Sequence, residues 1–416
     1  MLSQLATSPP LESNGPRVQA LSDWLVQQGL RGTALEDLLA GFCKGLRALG
    51  LPLWRCHVSM RTLHPNFEAL SFRWRPRSGI VREPIPYSEE TSEEWSSSPF
   101  HHMFQTDNFR LRRRLRGPHA RLDFPILMEF RDQGATDYLA RITPFGDDGI
   151  IDGRTGIVCS WTSDRPEGFS TIEIAILDRL QPRLTLTVKT VLGLEITRNV
   201  VDAYVGPKTG RRILRGEIRR GATETIHAVI FHADLRGFTA LSDRMARDEL
   251  VPMLDEYLEC IVQPVVDHGG EMLKFMGDGL LATFDLDASG DDSICRIALA
   301  SAVSALRLTQ ELNAARTAAG KPTTGLDVAL HLGDVLYGNF GGRDRLDFTV
   351  IGPAVNEASR IEGLCDRLGR RLLISESFAS AATQCTGQLV SVGKFRLRGL
   401  AREQEIFSLD IPEAMA

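Results

Sequence analysis

The stretch from Ile226 to Phe284 constrains this chain more than any other. It holds two apolar runs, each of which delivers one aspartate to a glycine turn. The first reads His227-Ala-Val-Ile-Phe-His-Ala-Asp234-Leu-Arg-Gly237-Phe-Thr239, and the second Glu271-Met-Leu-Lys274-Phe-Met-Gly277-Asp278-Gly279-Leu-Leu-Ala-Thr-Phe284. A short apolar run closed by a glycine turn suits a buried strand, and the polar residues after Gly237 begin a helix. Met-Gly-Asp-Gly between two apolar runs is a hairpin signal. If the two strands are neighbours, the carboxylates of Asp234 and Asp278 converge. Two converging carboxylates beside glycine turns form a hard oxygen site suited to Mg²⁺ that already carries phosphates.

The pattern around this stretch reads β-α-β-β-α-β. A strand over 226–233 precedes a helix over 249–268, with Leu250, Met253, Leu254, Tyr257, Leu258 and Ile261 at helical spacing. The Asp278 hairpin follows, then an Ala- and Leu-rich helix over 292–319 and a strand from Gly325. Gly338-Asn-Phe-Gly-Gly342 reads as a turn, Leu346–Ile351 as a strand, and Pro353 opens a helix whose first turn needs no N–H there. This order predicts an α+β, ferredoxin-like domain over 223–416, with helices on one side of its sheet.

The first half reads differently. Residues 1–16 are rich in Ser, Pro and Asn and read as a disordered lead-in. Helical periodicity begins near Val18, strands are expected around 56–60, 69–74, 122–128, 136–142 and 156–161, and an amphipathic helix covers 172–194. Residues 84–99 read as a long loop. A helix, antiparallel strands, Gly168-Phe-Ser170 and a closing helix resemble the GAF family of small α/β sensory domains. That resemblance covers 17–191 and names no ligand. Residues 192–222 then form a connector, helical at its start and broken by Gly and Pro, a candidate relay between the halves.

Composition narrows the classes. A length of 416 residues allows two or three domains. A net charge of −5 implies no general affinity for nucleic acid. Seven cysteines without a CxxC pair fit a reducing cytosol rather than a zinc site or disulfide framework. No apolar run approaches a membrane span and no leader pattern opens the chain, so a cytoplasmic protein is expected. His101-His102, the basic run Arg110–Arg116 and the tryptophans at 54, 74, 95 and 161 have plain readings as solvated loop, exposed face and core.

A second informative stretch is Thr349-Val-Ile-Gly-Pro-Ala-Val-Asn356-Glu-Ala-Ser-Arg360. Asn356 and Arg360 lie one helical turn apart, so both project from one face and can grip a sugar and a phosphoryl group together. Together with Asp234-Leu-Arg-Gly-Phe-Thr239 and Lys274-Phe-Met-Gly-Asp278-Gly279, this run resembles the catalytic domain of the class III adenylate/guanylate cyclases over about 228–409.

The resemblance implies specific roles. Asp234 and Asp278 would hold two Mg²⁺ ions, Mn²⁺ being an alternative. Backbone N–H groups of Leu235, Arg236, Gly237, Phe238 and Thr239 would receive the terminal phosphates. Asn356 would orient the ribose, and Arg360 would stabilise charge around the α-phosphate. Arg398 stands where the family has a phosphate-binding lysine. Lys274 with Thr349 would read adenine, lysine donating to a ring nitrogen and the hydroxyl accepting from the amino group. Threonine here marks the subgroup that includes bicarbonate-responsive enzymes. The implied reaction converts ATP to cyclic AMP and pyrophosphate in a homodimer, with composite sites and an unidentified small-molecule or protein signal at the N-terminal domain. A guanylate cyclase and an inactive nucleotide-binding regulator are the alternatives. The polymerase palm and the diguanylate cyclases leave Asn356 and Arg360 unexplained.

Overall fold

A computed structural model describes residues 15–88, 92–146, 156–285, 290–399 and 402–409. The chain divides into two compact units, 1–200 and 201–416. The expected lead-in lies outside the described residues except for Gly15 and Pro16, which already belong to a helix. Among the described residues no helix is long and apolar enough to cross a membrane.

The first unit holds helices α1 (Gly15–Arg31) and α2 (Leu35–Ala48), then strands β1 (Arg55–Arg61), β2 (Phe67–Arg75) and β3 (Gly79–Pro86). Short helices α3 (Glu93–Ser96) and α4 (Pro99–Gln105) lead to β4 (Arg110–Arg114). Helix α5 (Pro125–Asp132), β5 (Asp137–Pro144), β6 (Gly156–Ser163) and α6 (Thr171–Val205) complete it. The sheet runs β3-β2-β1-β6-β5-β4, and its pairings are antiparallel. Helices α1, α2 and α6 cover one face through Leu25, Phe42 and Leu184, while Phe100 and Leu127 of α4 and α5 cover the other. Coverage on both faces is why β5 is buried at six consecutive residues instead of alternating.

Local differences from the sequence reading have plain causes. Residues 125–132 are a helix, not a strand, because Pro125 occupies the first turn and Leu127 and Phe130 bury one face at i, i+3. The end of β3 and all of α3 lie in what reads as a long loop. Of the four tryptophans, Trp74 and Trp161 are core and Trp95 is exposed. The basic run is largely neutralised: Arg110 pairs with Asp178, Arg112 and Arg114 with the buried Asp137, and Arg113 with Asp123. His101 Nδ1 meets Ser96 O at 3.0 Å whereas His102 packs on Phe124, so the two imidazoles do not form a ligand pair.

The second unit opens with a short helix α7 (Pro207–Leu214), in the segment that reads as linker, and β7 (Thr223–Arg236). Then come α8 (Phe238–Ser242), α9 (Arg247–Asp267), β8 (Glu271–Met276), β9 (Gly279–Asp285) and α10 (Asp291–Ala318). β10 (Gly325–Gly341), β11 (Leu346–Ile351), α11 (Pro353–Glu362), α12 (Cys365–Leu368), β12 (Leu372–Ser375) and α13 (Glu376–Ala381) follow. β13 (Leu389–Arg396) and β14 (Glu403–Leu409) close the unit. The order β13-β14-β12-β10-β7-β9-β8 contains β10-β7-β9-β8, the expected ferredoxin-like core, with β11 paired to β10.

Two expectations are corrected. Helices cover both sides of the sheet, not one: Tyr257, Ala298 and Phe378 of α9, α10 and α13 pack on one face, and Ala354, Ala358 and Ile361 of α11 on the other. Gly338 is not in a turn but inside β10, opposite Thr349. Its φ of 154° and the carbonyl oxygen of Ala222, 2.2 Å from where a Cβ would sit, explain the glycine as a point of close backbone approach.

Candidate active site

The ends of β7 and β9 meet at the first aspartate. Ala233 pairs with Leu280 in the ladder, so the Gly277-Asp278 turn lies beside Asp234. Gly277 has φ 69° and Met276 pairs with Gly279, a two-residue hairpin of the glycine-first kind. Asp234 Oδ1 lies 2.7 Å from where a Cβ on Gly279 would sit, so the carboxylate packs on the turn carrying Asp278. Burial, then Asp278, then Asp327 push the Asp234 carboxyl up to about 6, the N–H of Leu235 opposes them, and no basic side chain does. A carboxylate that no basic side chain offsets, beside a second carboxylate, is a hard oxygen site that fits a divalent cation. Gly237, at φ 70°, ends the strand, and Phe238 and Thr239 begin α8. The Arg236 side chain is committed elsewhere: Nε and Nη2 donate to Asp327 at 2.8 and 2.7 Å.

A second locus lies along β8, β11 and α11. A cleft of about 360 Å³ is lined by Lys274, Met276, Leu281, Val350, Gly352 and Asn356. Thr349 is not among the lining residues. It is buried, its hydroxyl lacks a hydrogen-bond partner, and it shares a strand face with Asp347, to which Lys274 Nζ reaches at 3.5 Å. The ammonium therefore leans to the Thr349 side of β11. Asn356 is exposed, and Arg360 projects one turn along α11. Arg360 Nη2 is 3.4 Å from where a Cβ on Gly399 would sit, which brings its guanidinium over the turn that carries the exposed Arg398. Thus Lys274 joins Asn356, and Arg360 joins the Arg398 turn.

The model of the adenylate and guanylate cyclase catalytic domain matches residues 222–410. Those residues belong to the cyclase catalytic-domain family. This chain is 35% identical over 161 residues to an adenylate cyclase of Anabaena cylindrica, covering 38% of this chain and 32% of that one. It is 31% identical over 186 residues to adenylate cyclase 1 of Rhizobium meliloti, covering 44% and 26%. The match therefore spans about a third or less of these relatives' length. The adenylyl cyclase CyaB of P. aeruginosa aligns with 47% of this chain and 99% of its own at 24% identity, with a TM-score of 0.42.

Within the cyclase domain, three charged groups near Asp234 escape the sequence reading. Asp327 pairs with Asp234 across β7 and β10 and is held by Arg236 and, at 3.7 Å, Arg371. Arg371 Nη1 is buried without a hydrogen bond, a cation beside Asp327. Glu362, at the end of α11, is pushed up to about 7 by burial and then by Asp234 and Asp327. Helical phase places it away from the face of Asn356 and Arg360. No local pattern marks these residues, because only strand pairing and the packing of α11 bring them to Asp234.

Proposed function

We propose that the protein is an adenylate cyclase that converts ATP to 3′,5′-cyclic AMP and pyrophosphate in a cytoplasmic homodimer. The observation that carries the reading is the convergence of Asp234 and Asp278 on a turn where no basic side chain offsets Asp234. Divalent cations bound there, Mg²⁺ or Mn²⁺, would supply charge neutralisation of the triphosphate and acidification of the ribose 3′-hydroxyl. Asp234 and Asp278 would hold those cations, and the N–H groups from Arg236 to Thr239 would receive the terminal phosphates, the N–H of Leu235 being committed to the Asp234 carboxyl.

Lys274 donates to the base once it leaves Asp347. That exchange costs little, because the Lys274–Asp347 pair is solvent-exposed. The unpartnered Thr349 hydroxyl supports its part in choosing adenine, since a buried hydroxyl gains from a hydrogen-bonding partner. Asn356 orients the ribose, while Arg360 and Arg398 stabilise negative charge that grows as the 3′-oxygen attacks the α-phosphate. In the dimer the aspartates of one protomer work with Lys274, Thr349, Asn356 and Arg360 of its partner. The first unit serves as a GAF-like sensory domain for a small-molecule or protein signal. Asp278→Ala tests the core of the reading: product formation from ATP with Mg²⁺ should be abolished, and full activity would remove the two-metal assignment.

A further inference from the structure

Glu271 is a buried carboxylate three residues before Lys274, and the proposed reaction gives it no task. In a regular strand, residues three apart point to opposite faces. Here the register shifts between Met272 and Lys274: Glu271 pairs with Thr283, Met272 with Ala282, and Lys274 with Leu281. Thr283 and Leu281 share a face, so this bulge brings Glu271 and Lys274 to the same side of the sheet. The aim of Lys274 therefore depends on how β8 is held just before the bulge.

Glu271 is held by α7 and β10. Thr209 Oγ1 donates to Glu271 Oε1 at 2.6 Å, and Tyr337 Oη reaches both carboxylate oxygens at 2.9 Å. Lys208 Nζ stands 3.7 Å away and also bonds Asp285 of β9. Four residues further along α7, Arg212 stacks 5.0 Å from the Tyr337 ring and 5.3 Å from that of Phe348, the residue before Thr349. One short helix thus grips β8 ahead of Lys274 and β11 ahead of Thr349.

We propose that Glu271 is a positioning residue for base recognition, anchoring α7 to the bulged strand that aims Lys274. This rests on the reading that Lys274 meets the nucleotide base. The carboxylate touches no substrate. It accepts from two hydroxyls, that of Thr209 and the Tyr337 O–H shared between its two oxygens, which fix the strand ahead of the bulge and, through the bulge, the path of the Lys274 side chain. The same contacts make α7 a handle by which a shift of the connector alters nucleotide affinity rather than the chemical step.

Two near-isosteric substitutions test this in the full chain: Thr209→Val and Tyr337→Phe each remove donors to Glu271 and leave β8 and the cleft untouched. Each should raise KM for ATP and the dissociation constant of N-methylanthraniloyl-ATP with Mg²⁺ by about tenfold, and lower the ATP-over-GTP preference, with kcat within about threefold. Thr209→Ser, which restores the donor, should recover wild-type values. A purely structural role for Glu271 predicts instead a lower melting temperature with KM and base preference unchanged, and that result overturns the inference. Lys274→Ala separates the two levels. If it raises KM while both donor variants stay at wild-type values, the inference falls and the base reading stands. If it changes neither KM nor preference, the base reading fails and takes the inference with it.

Discussion

Replacing Asp234 by asparagine should make the metal-free protein more stable while removing its activity. The carboxyl is pushed up from 3.8 to about 6 by burial and by Asp278 and Asp327. At 1.36 kcal/mol per tenfold that shift corresponds to about 3 kcal/mol against the ionised form, and partial solvent access reduces it to about 1–2 kcal/mol. The sign follows from linkage. Between 3.8 and about 6 the folded state binds more protons than the unfolded one, so stability falls as pH rises through that window. Above it the cost is complete, and below it the cost is absent. Asparagine keeps the side-chain oxygen that accepts from Leu235 and carries no charge. Thermal unfolding of Asp234→Asn without metal at pH 7.5 should therefore lie about 3–6 °C above wild type, and the two should coincide near pH 4. Adding Mg²⁺ with a non-hydrolysable ATP analogue should raise the wild-type midpoint and leave the variant where it was. A variant equal to or less stable than wild type at pH 7.5 would refute the claim that the Asp234 carboxylate stands uncompensated beside Asp278.

Other expectations are equally direct. Lys274→Glu with Thr349→Cys should weaken ATP use, because the donor–acceptor pattern facing the base is reversed, and an unchanged ATP preference would show the base lies elsewhere. Asp234→Ala and Arg360→Ala should each be nearly inactive alone, yet an equal mixture after subunit exchange should recover about a quarter of wild-type activity. A mixture as inactive as its components ends the composite-site model. In the first unit, burial, with Arg55 and Arg73 adding repulsion, lowers the His57 imidazole from 6.5 to about 3. Since the unfolded chain then binds more protons, the stability His57 permits is full above about 6.5 and is lost as pH falls toward 3. His57→Gln should flatten the decline in melting temperature between pH 6.5 and 4, and equal slopes would exclude His57 as a cause.

Much of the cyclase domain was legible in its residues. The apolar runs before Asp234 and around Asp278 read as strands because burial on both faces demands continuous apolar character, and the glycine turns between them leave little choice of topology. The same local chemistry marked Asp234, Asp278, Asn356 and Arg360 as candidates, and the family resemblance added Lys274. Local pattern was less reliable where packing decides the outcome. Residues 125–132 carry too few residues for periodicity alone to separate helix from strand. Gly338 read as a turn, since no sequence signal announces that Ala222 crosses so close to it.

What only the tertiary structure decided is the environment of each charge. Asp327 and Glu362 come to Asp234 by strand register and by the seat of α11, from positions 93 and 128 residues away along the chain. Lys274 leans toward Asp347, and Glu271 shares its face, only because β8 carries a bulge. Sequence determines which side chains are available and which elements they can form, through short-range sterics and periodicity. The distances that set a carboxyl's proton affinity or aim a lysine are long-range in the chain, and they exist only once the sheet has closed on its helices.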